Sequence, residues 1–360
     1  MKKNINPMGE TVNPEMLILA RESRAFTQDE LAQRTGISQG NVSRYESGLV
    51  EVGPEGLERI AKALDYPLPF FYVADQKHGF GTSCTYHRRK QSVSVTELRT
   101  LLARVNVWRI RVAPLLRGAN IDSRYEIPQL DFVEYNGDVE KMAAIVRSNW
   151  HLPLGPIKNL VGALENAGGI VLRIPFGTKK VDAISHWVPG FPPMFFVNDE
   201  IPGDRCRYSL AHELGHLVMH RLHTEDPERE ADRFAAELLM PEREIGPDLY
   251  SLTMPKLATL KASWRVSMAS LIRRAYDLDK VTERQYRSLF EHLSKLGYRL
   301  NEPIAIPHEQ PKVLKKLFEL HQDVHGYSPE ELSRLTLTML DELEEQYSIQ
   351  PRRSGLRLVG

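Results

Sequence analysis

The 360-residue sequence predicts an α+β fold that is predominantly helical. Amphipathic segments joined by short turns fill the first 75 residues and the last third of the chain. Short apolar runs near Ile170 and Phe195 supply the strand signals between them. We therefore expect an all-α N-terminal domain, a central domain with a small sheet, and a helical C-terminal region.

Composition and turn signals divide the chain into four predicted segments. They are a helical domain (1–75), a basic helical connector (76–150), a central domain (151–245) and a helical C-terminal extension (246–360). The 47 basic residues balance the 47 acidic ones, so the whole chain carries no general signal for binding polyanions. Cys84 and Cys206 are the only cysteines, which excludes a disulfide framework or a thiolate zinc site. No run of 18 apolar residues occurs, and we expect a soluble, cytoplasmic protein without a membrane partner.

The first domain begins with a helix around Leu17. Thr27 and Glu30 have the spacing of a capping box that starts a second helix. A tight turn at 36–38 then leads into a third helix, which is the helix-turn-helix pattern. The region 14–71 resembles the XRE/Cro family of DNA-binding domains at Thr27-Gln28, Leu31-Ala32, Gly36-Ile37-Ser38, Val42-Ser43 and Tyr45-Glu46-x-Gly48. The resemblance implies operator DNA, a double-stranded partner.

Polar side chains at the start of the second and third helices are the candidates for DNA contact, because such positions reach base edges and phosphates. They are Gln28, Ser38, Gln39, Asn41, Ser43 and Arg44. The alternatives are a merely solvated polar face and a protein-interaction module. Residues 1–75 hold eight Lys or Arg against eleven Asp or Glu, so phosphate attraction is weak unless basic residues elsewhere contribute.

The connector supplies such residues between 84 and 118. Against the single acid Glu97 it carries Arg88, Arg89, Lys90, Arg99, Arg104, Arg109, Arg111 and Arg117. The same stretch predicts a basic amphipathic helix, because its apolar residues stand at helical spacing: Leu98, Leu101, Leu102, Val105, Trp108 and Val112. This helix extends the phosphate contact, docks a partner, or packs on the central domain with its basic face in water.

The central domain contains the pentapeptide His212-Glu213-Leu214-Gly215-His216. On a helix, residues four apart share one face, so the two imidazoles can bind one metal ion. Glu213 then stands beside the ion as a general base. This spacing predicts a Zn²⁺ site of the peptidase type.

A catalytic zinc needs a third protein ligand, and the next predicted helix offers one. Glu228 lies on the apolar face of that helix, whereas Glu230 does not and is predicted to be a solvated surface charge. Asp232, one turn after Glu228, can accept the second ring N–H of a ligating histidine. The alternative for Glu228 is a carboxylate that only complements the helix macrodipole.

Two separated motifs carry a second resemblance. Residues 153–241 are similar to the ImmA/IrrE family of metallopeptidases in Phe195-Phe-Val-Asn198, Arg205, Ser209-Leu-Ala-His-Glu-Leu-Gly-His216, Glu228-x-x-Ala231-x-x-Phe234-Ala235 and Leu238-Leu-Met-Pro241. The resemblance implies a zincin-like fold whose edge strand receives an extended substrate, and we expect Met194–Val197 to be that strand. It implies His212, His216 and Glu228 as zinc ligands and Glu213 as the base. For His220 three roles stay open: a group that orients a ligand, an oxyanion donor, and a solvated histidine.

These features predict a DNA-binding regulator with a zinc endopeptidase domain. By analogy with the family, its substrate is a cognate repressor, or the chain's own linker, in a stress, mobile-element or toxin–antitoxin response. One alternative is a non-proteolytic regulator whose zinc site is structural or sensory, and another is an antitoxin or phage-type repressor. The segment 257–275 has a helix–turn–helix rhythm, and the helices at 312–322 and 329–347 are a candidate interaction or homodimerisation region. No internal repeat is evident in the sequence.

Overall fold

The computed structural model describes residues 9, 11–79, 93–119, 122–222 and 224–347, with side chains as far as residue 343. Cys84, Arg88, Arg89 and Lys90 lie outside these residues. The chain divides into two compact units. Unit 1 comprises Met1–Gly79, Ser94–Ile121 and Val313–Gly360, and unit 2 comprises Phe80–Val93 and Asp122–Lys312.

The described elements are mostly helical, in agreement with the predicted fold class. In chain order the helices are α1 (Pro14–Ser23), α2 (Gln28–Thr35), α3 (Gln39–Glu46), α4 (Pro54–Leu64), α5 (Val95–Arg117), α6 (Val139–Asn149), α7 (Leu160–Asn166), α8 (Gly203–Met219), α9 (Pro227–Leu239), α10 (Glu242–Ile245), α11 (Met254–Trp264), α12 (Met268–Asp277), α13 (Glu283–Lys295), α14 (Val313–Asp323), α15 (Pro329–Thr336) and α16 (Leu340–Tyr347). The strands are β1 (Ile170–Ile174), β2 (Ala183–His186) and β3 (Met194–Asn198). Among the described residues, no helix is both long and apolar enough to cross a lipid bilayer.

Unit 1 contains the predicted helix-turn-helix as α2 and α3. The capping box of Thr27 and Glu30 starts α2, with both reciprocal hydrogen bonds formed. Gly36 ends α2 in the left-handed conformation at φ 67°, which glycine adopts without steric cost. Ile37 is then buried and Ser38 caps α3, so the turn is fastened to the core and to the next helix.

Helix α5 belongs to unit 1, where it packs on α1. Three of its arginines are turned inward. Arg104 donates to the Ser23 carbonyl at 3.0 Å, Arg109 pairs with Asp75 at 2.9 Å, and Arg111 forms a two-point pair with Glu342 at 2.6 and 3.0 Å. The expectation of a basic face free in water is therefore wrong for these three. A buried guanidinium requires an acceptor, and α5 is covered on several sides.

The C-terminal helices α14–α16 also belong to unit 1, where α14 and α15 pack on α5 and α16 packs on α15. The predicted segments 76–150 and 246–360 are thus each divided between the two units. Boundaries drawn from composition missed this grouping, because α5 and α14–α16 meet only through contacts that are distant in sequence.

The pair α15–α16 resembles α2–α3 in its local geometry. Both pairs consist of two eight-residue helices joined by three residues. A capping box of Ser328 and Glu331 starts α15, just as a capping box starts α2. Leu337 takes the left-handed conformation, at φ 52°, at the position that Gly36 occupies between α2 and α3.

The pair α15–α16 carries different side chains at the positions proposed for DNA contact on α2–α3. Met339 and Glu342 stand where Ser38 and Asn41 stand in α2–α3. Glu342 pairs with Arg111 of α5.

Unit 2 is built around a three-stranded sheet with the order β1-β3-β2. Strand β3 pairs in parallel with β1 and in antiparallel fashion with β2. The prediction that Met194–Val197 is the edge strand is wrong, because β3 is the central strand and all five of its residues are buried. The edge that packs on α8 is β2, which the sequence analysis did not identify.

The helical part of unit 2 includes the predicted helix–turn–helix rhythm as α11 and α12. Arg265 separates the two helices in the left-handed conformation at φ 58°, and Ser267 caps α12. Glu302 accepts from the α12 amides of Met268 and Ala269, and Lys261 donates to it at 2.6 Å. This carboxylate holds the segment that follows α13 against the start of α12.

Candidate metal centre

Helix α8 carries the pentapeptide and packs closely on α9. The close approach depends on Gly215, because a Cβ at this position would lie 3.1–3.2 Å from ring and Cβ atoms of Phe234. Phe234 is fully buried on the apolar face of α9. The two helices can therefore bring the histidines of one and the acids of the other within bonding range of a single ion.

Three donor groups converge between α8 and α9. His212 Nε2 and His216 Nε2 are 3.1 Å apart. Glu228 places Oε1 at 3.4 Å from His216 Nε2 and Oε2 at 3.9 Å from His212 Nε2. These three residues form a group that could hold a metal ion.

The spacing of these donors suits zinc. A tetrahedral Zn²⁺ with bonds of about 2.0–2.2 Å separates its ligand atoms by roughly 3.3–3.5 Å. The contacts of 3.1 and 3.4 Å between donor atoms lie close to this range. Two imidazole nitrogens and one carboxylate oxygen are also a ligand set that zinc accepts.

Asp232 lies one turn after Glu228 and contacts the other ring nitrogen of His212. The distance from His212 Nδ1 to Asp232 Oδ1 is 2.8 Å. Burial by itself lowers the pKa of His212, but the hydrogen bond and the charge of Asp232 raise it above the usual value. A carboxylate only accepts, so the proton of neutral His212 is on Nδ1 and its Nε2 is free to bind a metal.

Glu213 is turned toward the sheet and is 1% exposed. Its Oε2 accepts from the amide of Ser185 at 2.8 Å and from the Ser185 hydroxyl at 2.6 Å. Ser185 lies in β2, the edge strand. The general base predicted from the sequence is thus held in place by a residue that sequence reasoning did not single out.

His220 is buried, which the open prediction of a solvated histidine did not foresee. Its Nδ1 lies 2.8 Å from His216 Nδ1, and its Nε2 lies 2.9 Å from Glu230 Oε2. Burial first, and then the neighbouring histidines, lower the pKa of His220 to about 3. The ring is therefore neutral at physiological pH.

The prediction that Glu230 is a solvated surface charge is wrong. Its side chain is only 12% exposed, and it accepts hydrogen bonds from His220 and from the Thr224 hydroxyl. Glu230 lies off the apolar face of α9, but the end of α8 and the loop that follows cover this side of the helix.

A pocket of about 740 Å³ opens beside this region. Its wall includes apolar side chains of Leu130, Phe132, Met219 and Leu222, together with Glu230. The contacts that run from His216 through His220 to Glu230 therefore end at a surface that solvent can reach.

In the helix-turn-helix of unit 1, the six candidate DNA contacts fall into two groups. Gln39 donates to Gln28 at 2.9 Å, and Gln28 in turn donates to Glu46 at 2.8 Å. These two amides are thus oriented by the protein itself. The other four lie at or near the surface. Ser38, Asn41 and Arg44 are exposed, and Ser43 is partly buried.

The residues that sequence reasoning missed are Ser185, Glu230 and Thr224. Sequence reasoning had little signal for Ser185, because only Ile184 in the run Ala183–His186 favours a strand. Thr224 and Glu230 offered no signal, because their roles depend on a contact between α9 and the end of α8.

Comparison with known families agrees with this description. Residues 17–71 match the family described as Helix-turn-helix, and residues 165–276 match the family described as IrrE N-terminal-like domain, a metallopeptidase family. A search of curated proteins found no match. The predicted fusion is confirmed: the chain joins an XRE-type helix-turn-helix domain to a metallopeptidase-like domain.

Proposed function

We propose that this chain is a DNA-binding regulator whose metallopeptidase-like domain is a zinc-dependent endopeptidase. The observation that carries the proposal is the convergence of His212, His216 and Glu228 within 4.8 Å, with Glu213 one residue from the first ligand. Among the described residues these three form the donor group, so a zinc ion held by them would leave a position for water or substrate. A structural zinc site is usually closed by four protein ligands, so three ligands favour catalysis.

Hydrogen bonding around the two histidines supports the presence of a cation. Asp232 holds the proton of His212 on Nδ1, and the contact with neutral His220 does the same for His216 if Glu230 accepts from His220. Two Nε2 lone pairs then face each other at 3.1 Å. Like lone pairs at this distance repel, and a metal ion between them turns the repulsion into two bonds.

The chemistry assigned to the chain's own residues is proton transfer. Bound zinc supplies Lewis acidity toward a peptide carbonyl and toward water. Glu213 takes the proton of the attacking water and returns it to the leaving amine. Ser185 holds Oε2 of this carboxylate through its amide and its hydroxyl, and so orients the proposed base.

The proposed substrate is an extended segment of another protein. The Ser185 amide points to α8 and not to β3, so the outer side of β2 borders the metal centre. An extended peptide that pairs with this edge would pass the zinc ligands. The helix-turn-helix domain on the same chain favours a substrate that is itself bound to DNA, and we propose a cognate repressor in a stress or mobile-element response.

Two variants test the proposal. The chain is co-expressed with the proteins encoded beside it, and cleavage products and bound zinc are measured. Glu213→Gln should retain zinc and lose cleavage, whereas His216→Ala should lose zinc. Glu225→Gln, an exposed acid near the site, serves as the matched control and should change neither. Stoichiometric zinc in the His216→Ala protein would refute the ligand assignment.

The second candidate function is a non-proteolytic regulator in which zinc is structural or sensory. The intact helix-turn-helix domain favours it, since DNA binding does not require a peptidase. Repression that is unchanged in Glu213→Gln, with no cleavage product in the wild type, would support this candidate.

A further inference from the structure

A chain of hydrogen bonds leads away from one of the two candidate histidine ligands. It runs from His216 Nδ1 to His220 Nδ1 at 2.8 Å, and from His220 Nε2 to Glu230 Oε2 at 2.9 Å. The Thr224 hydroxyl donates to the same Glu230 oxygen at 2.7 Å. The end of α8, the loop that follows it and α9 therefore all contribute to the hydrogen bonds behind His216.

We propose that His220 and Glu230 are positioning residues that fix the ring orientation and the tautomer of His216 for metal binding. The inference rests on the proposed zinc site. His216 can bind zinc through Nε2 only if its proton is on Nδ1. His220 must then accept at Nδ1, and a neutral ring that accepts at Nδ1 carries its own proton on Nε2. The Glu230 carboxylate accepts the hydrogen bond from this Nε2–H. It thereby fixes the tautomer of His220 and, through His220, that of His216.

Burial makes this network hard to replace by water. The side chains of His216 and His220 are 0% exposed and that of Glu230 is 12% exposed. In such surroundings a ring nitrogen in the wrong protonation state would leave an unsatisfied polar group, which is costly. Thr224 restrains Glu230 further by donating to the oxygen that already faces His220.

His212, the other candidate histidine ligand, is held by a more exposed acid. His212 Nδ1 contacts Asp232, whose side chain is 60% exposed. Water can take the place of an acceptor at so open a position. Glu230, two steps away from the metal position, should therefore matter more for zinc affinity than Asp232, which contacts a ligand directly.

The comparison of these two acids is the test. Zinc affinity of the full-length chain is measured by competition with a chelator for Glu230→Ala, Glu230→Gln, Asp232→Ala and the exposed control Glu225→Ala. Loss of an outer acceptor of a metal ligand typically weakens binding about 10–100-fold, and we expect this for Glu230→Ala. Asp232→Ala should weaken binding less than Glu230→Ala does, because water can replace the acceptor at this exposed position. Glu230→Gln keeps a carbonyl acceptor and should restore most of the affinity.

The tautomer is a second readout that a purely structural role would not change. In the zinc-loaded wild type, long-range ¹H–¹⁵N spectra of the imidazole rings should show neutral His220 with its proton on Nε2. In Glu230→Ala this preference should be lost while circular dichroism shows that the fold persists.

Each outcome has a distinct meaning. A wild-type chain that binds no zinc would refute the proposed function and, with it, this inference. A wild type that binds zinc, with Glu230→Ala equal to it or affected no more than Asp232→Ala, would overturn the positioning role alone. His220 protonated on Nδ1 in the zinc-loaded protein would also overturn it.

Discussion

Arg21 on α1 and Glu46 at the end of α3 form a two-point ion pair, with distances of 2.5 Å from Nε to Oε1 and 2.9 Å from Nη2 to Oε2. Both side chains are largely buried, at 11% and 6% exposure. Glu46 also accepts from Gln28 at the start of α2. One carboxylate thus ties the first three helices of the DNA-binding domain together.

Removal of this carboxylate should destabilise unit 1. Glu46→Ala leaves the Arg21 guanidinium buried without its charge partner, and breaking a buried pair in this way costs about 3–5 kcal/mol. Hydrogen exchange of α1 and α3 amides under increasing denaturant measures the change. Glu319→Ala, which breaks an exposed pair with Lys315, is the control and should cost less than about 1 kcal/mol. An equal effect of the two variants would contradict this assignment.

Glu228 should prove to be a zinc ligand and not merely a complement to the macrodipole of α9. Glu228→Gln removes the charged oxygen donor, and metal analysis of the purified chain should show zinc well below one ion per molecule. If the carboxylate only complements the helix dipole, zinc content will be unchanged and stability will fall by about 0.3–1 kcal/mol. Glu225→Gln, in the preceding loop, is expected to retain full zinc.

Cys206 should resist alkylation in the folded protein. Burial raises the pKa of its thiol to about 12, so the reactive thiolate is scarce at pH 8. With Cys84 replaced by serine, iodoacetamide should react with Cys206 only after denaturation. Because the folded pKa lies above the unfolded value of about 8.5, this thiol contributes stability that decreases as the pH rises from 8.5 toward 12. Rapid alkylation at pH 8 without denaturant would contradict the burial argument.

DNA binding by the helix-turn-helix should depend on Arg44 through phosphate or base contact. Arg44 is exposed on α3, in a domain whose residues 1–75 have a net charge of −3. Arg44→Ala should weaken binding in gel-shift titrations and, if it contacts phosphate, reduce the slope of log K against log salt by about 1. Lys315→Ala, a basic residue on α14, should leave the slope unchanged. Binding that is insensitive to Arg44→Ala would favour the protein-interaction alternative.

Local patterns were sufficient to predict the helix-turn-helix and the helix that carries the candidate metal ligands. Thr27, Gly36 and Ser38 specify caps and a turn within a few residues, and the spacing of His212 and His216 specifies a common face once a helix forms. These features depend on helical geometry alone, which the sequence carries directly.

Other features followed from contacts that the sequence does not encode locally. Strand β3 reads as a short apolar run, and its position as the central strand depends on which neighbours pair with it. The similarity of α15–α16 to α2–α3 lies in capping and backbone conformation, with Leu337 at the left-handed position that Gly36 occupies between α2 and α3.

The sequence by itself determined which residues can act as zinc ligands and which helix can read DNA, because both depend on periodicity and on side-chain chemistry. Only the tertiary structure decided what holds those residues in place. Ser185 reaches Glu213 across 28 positions of the chain, and Glu230 reaches His220 from another helix. The burial that gives these contacts their energetic weight exists only after the helices and the sheet have packed together.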